Sequence, residues 1–156
     1  MGLATAATTI CMIGDMMPRR TNQTELDRVK KVVLGCIAAG RSRQDTGHAK
    51  CLIGGKSLHI RYRAKSEDTP DLYIFNINPN TLTSDYELWI CGSEDRYYLI
   101  PIGAIRSMYG HPAAYPDRRH PSIRIVTVDV VFHRVMFAAG AVGNDIERYF
   151  CTTLPV

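Results

Sequence analysis

A row of cationic side chains alternates along one short segment of the chain, at Arg61, Arg63 and Lys65. Apolar and polar residues alternate through residues 58–64, which predicts a β-strand that carries the cations on one face. Like charges about 7 Å apart along a strand repel one another, and the arginine fork matches the geometry of phosphate. The pattern favours a phosphate-binding face. A solvated strand face and a surface for an acidic protein partner are the alternatives.

The charges around this row are unevenly distributed. Every charged side chain between residues 50 and 65 is basic, whereas acids cluster at 67–68, 85–87 and 94–95. A further basic pair stands in a proline-rich loop at 111–121. The local positive field of such a stretch attracts a polyanion. The predicted partner is therefore nucleic acid, and DNA is expected. The predicted nucleic-acid-binding residues are Lys50, Lys56, Arg61, Arg63, Lys65, Arg118 and Arg119.

Acidic residues on or beside predicted strands are candidates for metal-dependent chemistry. Asp85 and Glu87 are two residues apart, so they share one face of a strand and could hold a divalent cation together. The alternative is that they are solvated strand-edge charges or partners of the arginine row. We predict no bound metal or cofactor, with Mg²⁺ as the cofactor only if a relocated active site exists. The candidate catalytic residues are Asp45, Asp71, Asp85 and Glu87.

The candidate binding and catalytic residues are positioned by secondary-structure elements. The first half of the chain predicts a helix followed by strands. Thr24, with Asp27 three residues later, is typical of a helix N-terminus. Apolar residues at helical spacing then continue to a stop at Gly40. Residues 41–47 are predicted as a polar turn, and the glycines at 54–55 are a hairpin signal. Strands are predicted at 51–53, 58–64, 72–77, 86–91 and 97–100.

The second half predicts fewer regular elements. Residues 102–109 are typical of one or two helical turns, and three prolines in 111–121 oppose regular structure there. The β-branched stretch 123–136 predicts a final strand, and Asn144 is the expected cap of a closing helix at 144–150. Together the elements predict an α/β (α+β) fold with a central mixed sheet of about five strands flanked by helices.

Length and composition bound the class of protein. The chain has 156 residues, a length typical of one domain. We predict a flexible N-terminal arm at 1–20 and a single α/β domain at 21–156. No apolar run approaches the roughly 20 residues that a membrane crossing needs, so we expect no membrane partner. Five irregularly spaced cysteines favour reduced thiols in an intracellular protein of the cytoplasm or nucleoid.

The order of elements, with three aromatic-rich segments, resembles the PD-(D/E)XK restriction-endonuclease-like fold over roughly residues 24–110. The segments are 71–75, 84–92 and 95–101, which read DLYIF, SDYELWICG and DRYYLIP. Nucleases of this kind hold a divalent metal with two carboxylates on successive strands, and a lysine orients the attacking water. The resemblance implies a DNA-binding protein, and it implies a homodimer by analogy, since dimers are frequent in that fold.

The catalytic motif of that fold is degenerate here. On strand order, Arg61 stands at the position of the metal-binding acid and Arg63 at that of the lysine. The preceding strand has Lys50 where an aspartate is expected, and the nearest acid is Asp45. A cation at the acid position repels Mg²⁺. The resemblance therefore implies a nuclease-like DNA-binding domain that has lost metal-dependent cleavage. An active Mg²⁺-dependent endonuclease with a relocated site and a protein-interaction module are the alternatives.

Overall fold

The computed structural model describes residues 23–137 and 142–155. The predicted arm at 1–20 lies outside these residues. Within these residues two helices and ten strands follow one another, together with short 3-10 turns at Pro79–Thr81 and Glu147–Tyr149. The elements are α1 (Gln23–Ala38), β1 (Arg43–Gly47), β2 (Lys50–Ile53), β3 (Lys56–Arg63), β4 (Leu72–Ile77), β5 (Tyr86–Cys91), β6 (Tyr97–Pro101), α2 (Ile102–Tyr109), β7 (Tyr115–Pro116), β8 (Arg124–Asp129), β9 (Arg134–Met136) and β10 (Val142–Asp145).

The first sheet is mixed and has five strands in the order β1-β2-β3-β5-β6. Strands β1, β2 and β3 form an antiparallel meander, β3 and β5 run parallel, and β6 returns antiparallel to β5. Because parallel neighbours need a crossover connection, the chain leaves this sheet between β3 and β5. The crossover contains β4, which belongs to a second sheet.

The second sheet has the strand order β10-β9-β8-β4, with the two-residue strand β7 paired beside β9 on the same edge of β8. It packs on the first sheet through an apolar interface. Trp89 of β5 stacks on Phe75 of β4 with ring centroids 4.7 Å apart, and Tyr109 meets the indole edge-on at 6.4 Å. Aromatic pairs in these arrangements add to the stability that burial supplies.

Helix α1 covers the opposite face of the first sheet. Its buried residues Val29, Val33 and Ile37 lie at helical spacing and join Leu58 and Ile60 of β3 in a separate core. The molecule thus has three layers, with α1 on one side of the first sheet and the second sheet on the other. This confirms the predicted α+β class and its mixed five-stranded sheet. The layer that was expected to be a second helical flank is a sheet.

Several local predictions are confirmed. Strands β4 and β5 and helix α2 have the predicted boundaries. The turn between β2 and β3 uses Gly54 and Gly55 with φ of 55° and 78°, the left-handed conformation that favours glycine. Gly40, two residues beyond α1, has φ of 83° and ends the helix as predicted.

Other local predictions are wrong. Helix α1 already includes Gln23, so Thr24 lies inside its first turn and is not its N-cap. Residues 41–47 contain strand β1, whose five residues are all exposed. A strand exposed on both faces needs no alternation of apolar and polar residues, so its sequence does not reveal it. Its pairing with β2 holds it in the sheet.

The C-terminal predictions also need correction. The single strand expected at 123–136 is the hairpin β8–β9, whose turn is closed by Asp129 Oδ1 accepting the amide of Val131 at 3.0 Å. Asn144 lies within β10, and its predicted helix is a strand followed by a 3-10 turn. Pairing with β9 outweighs the local cap signal. Within the expected irregular loop, Tyr115–Pro116 pairs with the edge of β8, where proline is tolerated.

Among residues 23–137 and 142–155, neither helix has the length and apolarity that a membrane crossing needs.

Candidate functional site

The predicted cationic strand is β3, and its two faces differ as its alternation predicted. The even-numbered residues Leu58 and Ile60 are buried beneath α1. The odd-numbered residues therefore project from the other face of the sheet. They are the partly exposed His59 and Arg61 and the exposed Arg63, preceded by Ser57.

A buried carboxylate lies at the centre of this polar row. The parallel register of β3 and β5 places Glu87 opposite His59. The Glu87 side chain is only 1% exposed, and its Oε1 and Oε2 accept from His59 Nδ1 at 2.9 Å and from Arg61 Nε at 2.8 Å. An ionised carboxylate is tolerated in the interior only when it is paired and hydrogen-bonded. Glu87 thus holds Arg61 and His59 in place, which is the role of a partner of the arginine row.

Arg61 is held from more than one side. Its Nη1 donates to the Asn76 carbonyl of β4 at 3.4 Å, and its Nη2 lies 3.2 Å from His59 Nδ1. Tyr109 borders the cluster and donates its hydroxyl to the Phe75 carbonyl at 3.0 Å. Burial raises the pKa of Tyr109 well above its ordinary value, so this side chain stays neutral. The guanidinium of Arg61 consequently has a defined orientation at the junction of the two sheets.

Further cations extend the polar row on the same face. Lys50 of β2 is paired with His59 in the antiparallel register, so the two side chains project to the same side of the sheet. Lys50 and Arg63 are exposed and make no ion pair with any residue that the structure describes. Lys65 is exposed two residues beyond the end of β3. We call the surface formed by Lys50, His59, Arg61 and Arg63 the basic face.

Lys56 does not share the basic face. It is the first residue of β3 and is paired with Ile53, which is buried beneath α1. By the alternation of the strand, its exposed side chain projects to the helix side of the sheet. This predicted binding residue is therefore separated from Arg61 and Arg63 by the sheet itself.

The predicted catalytic carboxylates are not brought together as a group. Asp45 lies on β1 opposite Cys51, on the helix side, and its carboxylate pairs with Arg43 Nε at 3.0 Å, which lowers its pKa. Asp71 is exposed at the end of the loop that leads into β4. In the described part of the chain, no three His, Cys, Asp or Glu side chains are grouped so that they could hold a metal ion.

Asp85 and Glu87 do lie on one face of the sheet, as predicted, but each is engaged by β3. Asp85 Oδ2 accepts from the backbone amide of Ser57 at 2.9 Å and from its hydroxyl at 3.1 Å. These two hydrogen bonds lower the pKa of Asp85. Both acids therefore act as cross-strand partners of β3.

The proline-rich loop presents the second predicted basic group. Asp117 Oδ1 accepts from the amides of Arg119 at 2.8 Å and His120 at 2.9 Å, so backbone hydrogen bonds shape the loop. The side chains of Arg118 and Arg119 are exposed. The loop leads into Arg124, which is paired with Ile77 of β4.

The loop therefore leaves the second sheet at the end of β4 that meets Arg61. Ile77 is the neighbour of Asn76, and Asn76 is the residue whose carbonyl accepts from Arg61. Arg61 and the loop that carries Arg118 and Arg119 thus meet the same end of β4.

Three members of the cluster were not predicted as site residues: His59, Asn76 and Tyr109. His59 occupies an odd-numbered position of β3, as Arg61 and Arg63 do, and the missing information was the parallel register that sets Glu87 beside it. Asn76 contributes a backbone carbonyl, for which residue type carries no signal. Tyr109 reaches the cluster through the packing of α2, which no local pattern reveals.

The chain matches no protein-family model, no curated protein and no solved structure. The resemblance to the restriction-endonuclease-like fold therefore stays a prediction from the sequence.

Proposed function

We propose that this chain binds the phosphate backbone of nucleic acid, with DNA the expected polymer, through its basic face. The observation that carries the proposal is the anchoring of Arg61 and His59 by the buried Glu87. An arginine that is already oriented loses less side-chain entropy when it grips a phosphate. Its hydrogen bonds to a phosphate oxygen are also charge-assisted, and so stronger than neutral ones.

The charge balance of the basic face also supports an anionic ligand. Glu87 neutralises one cation of the cluster, but Lys50 and Arg63 remain without an ion-pair partner among the described residues. Lys65 adds a further exposed cation at the end of the strand. Neighbouring like charges raise the local potential for a polyanion, and each neutralised phosphate adds a salt-dependent increment to affinity.

The loop at 117–123 extends this surface. Arg118 and Arg119 are exposed, and the loop departs from the end of β4 that Arg61 contacts. A backbone that crosses the basic face toward this end of β4 would meet both groups of cations. Contacts of this kind position a polymer without reading its sequence.

Binding without metal-dependent cleavage is the form of this function that the geometry favours. The sequence resemblance puts Arg61 where a nuclease keeps a metal-binding acid, and the nearest carboxylate, Glu87, is occupied by Arg61 and His59. Plasmid incubated with the protein and Mg²⁺ or Mn²⁺ should remain supercoiled. Nicking that depends on Asp85 or Glu87 would instead favour the relocated endonuclease.

Fluorescence anisotropy with a short DNA duplex tests the binding. Affinity should fall steeply between about 50 and 200 mM salt, as counterion release requires. Charge reversal in Arg63→Glu should weaken binding strongly. Lys56→Glu is the matched control, since it makes the same change of sign on the same strand but on the helix side.

Equal losses in the two variants would mean that net charge alone drives binding. An unchanged affinity in Arg63→Glu would overturn the proposal. Co-purification of an acidic protein, with no affinity for nucleic acid, would favour the protein-interaction alternative.

A further inference from the structure

The geometry points to His59 as a general base that cleaves an RNA strand bound on the basic face, with Glu87 as its positioning residue. This inference rests on the proposed function, because the same cations must first hold the strand. It assigns to the cluster a reaction that needs only side chains of this chain and the 2′-hydroxyl of the RNA.

The first step concerns the proton on the imidazole. Glu87 is buried and, when ionised, offers only acceptor oxygens. Its Oε1 lies 2.9 Å from His59 Nδ1, closer than Arg61 Nη2 at 3.2 Å. Because Glu87 already accepts from Arg61 Nε, we assign the hydrogen to Nδ1, which donates it to Glu87, and the contact with Arg61 Nη2 is then not a hydrogen bond. The lone pair of the neutral ring is then on Nε2. A carboxylate that fixes the tautomer in this way is the arrangement that prepares histidine to act as a base.

The second step concerns access. The His59 side chain is 23% exposed, whereas Glu87 beneath it is 1% exposed. Nε2 makes no hydrogen bond with the described residues and is not one of their buried unpaired atoms. The basic atom of the ring is therefore open on the same face as Lys50, Arg61 and Arg63, where a phosphodiester would lie.

The third step selects RNA. Contacts to the phosphate backbone do not by themselves distinguish RNA from DNA. The 2′-hydroxyl, however, is a nucleophile already attached beside the phosphorus, and intramolecular attack has a large advantage over attack by water. A single general base is enough to start that reaction. Hydrolysis of DNA would require the same histidine to position and activate a separate water molecule.

Apart from the RNA and the side chains of this chain, the step needs only water. Nε2 of His59 takes the proton of the 2′-hydroxyl while the 2′-oxygen attacks the adjacent phosphorus. The bond between phosphorus and the 5′-oxygen breaks, and the leaving oxygen takes a proton from water. Arg61 and Arg63 stabilise the charge that develops on the phosphoryl oxygens. The imidazolium returns its proton to the solvent, and the products are a 2′,3′-cyclic phosphate and a 5′-hydroxyl end.

The test uses the full chain with an end-labelled single-stranded RNA in the presence of EDTA. We expect slow cleavage that yields 2′,3′-cyclic phosphate ends, and none at a position carrying a 2′-deoxynucleotide. His59→Ala should lower the rate by about 10²–10⁴-fold, and added imidazole should restore part of it. Lys56→Ala, prepared identically, should retain the wild-type rate and so controls for contaminating ribonucleases.

Two further variants separate the base from its support. Glu87→Gln offers an amide N–H to Nδ1, which favours the tautomer with its hydrogen on Nε2, so cleavage should fall by a similar factor. If that variant does not fold, His59→Asn serves instead, because its amide can still donate to Glu87 while supplying no base.

The outcomes distinguish this inference from the function on which it rests. RNA that binds but is cut no faster than by His59→Ala, or a rate that imidazole does not restore, overturns the role of His59. Failure of the wild-type protein to bind any nucleic acid overturns the proposed function as well.

Discussion

Arg61 on β3 and the loop that carries Arg118 meet the same end of β4, but the two cations are held very differently. Arg61 donates to the buried Glu87 and to the Asn76 carbonyl. Arg118 is an exposed side chain on a loop whose backbone, and not its cations, is fixed by Asp117. One cation is part of the packed structure, whereas the other contributes mainly a local field.

This difference shows at which residues ligand binding and folding stability are linked. Orienting Arg61 requires a carboxylate to be buried, and a buried charge is stable only while its partners remain. Changes in the anchored cluster should therefore affect both folding and binding. Changes in the loop should affect binding alone.

The largest effect should follow removal of the anchor. Glu87→Ala removes the buried carboxylate that Arg61 and His59 share, and both side chains are themselves about three-quarters buried. We therefore expect the free energy of unfolding to fall by about 3–5 kcal/mol. Guanidinium denaturation measures it. Asp45→Ala is the matched control, because it removes a strand carboxylate that pairs with Arg43 at an exposed position. The free energy of unfolding of Asp45→Ala should fall by no more than about 1 kcal/mol. Equal losses in the two variants would contradict the anchoring role.

Next in size is the loss of the anchored cation itself. In Arg61→Ala, Glu87 keeps only His59 as a partner, so stability should fall by about 1–3 kcal/mol and affinity for a short duplex about tenfold. Arg63→Ala provides the contrast. It should leave stability within about 0.5 kcal/mol and reduce the slope of log affinity against log salt by about one. If Arg61→Ala proved as stable as Arg63→Ala, the comparison of anchored and free cations would fail.

A smaller effect is expected in the loop. Arg118→Ala should weaken binding only a few-fold, because the flexible side chain must be ordered when it meets a phosphate. Its melting temperature should equal that of the wild-type protein. Anisotropy titrations and thermal melts of Arg118→Ala and Arg61→Ala, run side by side, show whether anchoring strengthens a phosphate contact. A larger loss of affinity in Arg118→Ala would reverse the comparison.

The smallest effect concerns Asp85, which directly precedes β5, and it depends on pH. The hydrogen bonds from Ser57 lower the pKa of Asp85, so the charged form is stabilised by folding. Its contribution is present above the unfolded pKa of about 3.9 and is lost as the pH falls through the lower folded value. The denaturation midpoints of Asp85→Ala and the wild type should thus differ at neutral pH and converge in acid. A constant gap would show that ionisation plays no part.

The sequence predicted best what adjacent residues decide. The alternation of apolar and polar residues in β3 placed its cations on one face, and the glycines at 54–55 predicted the turn before it. Strand β5 is almost wholly buried and β4 buries alternate residues. Both are rich in aromatic and branched residues, so their boundaries could be predicted. Strand β1 was missed because its residues are all exposed, which makes its sequence indistinguishable from that of a polar turn.

The candidate site was predictable only in part. Arg61 and Glu87 were both named from the sequence, but as a phosphate ligand and as a catalytic acid. That they are partners follows from the parallel register of β3 and β5, which joins residues 28 positions apart. Registers between distant strands depend on the packing of the whole sheet, and so no local pattern in this chain specified them.

The crossover between β3 and β5 also constrains how the molecule forms. Strand β4 lies between them in the chain, yet it pairs with β8 in the other sheet. The parallel pair cannot close until this intervening segment has found its place against Trp89, and such non-local pairings slow folding. Neither sheet is built from consecutive strands. Strand β4 interrupts the first sheet along the chain, and β5 and β6 interrupt the second. We therefore expect both sheets to form in one cooperative transition, without a populated intermediate in which either sheet stands alone.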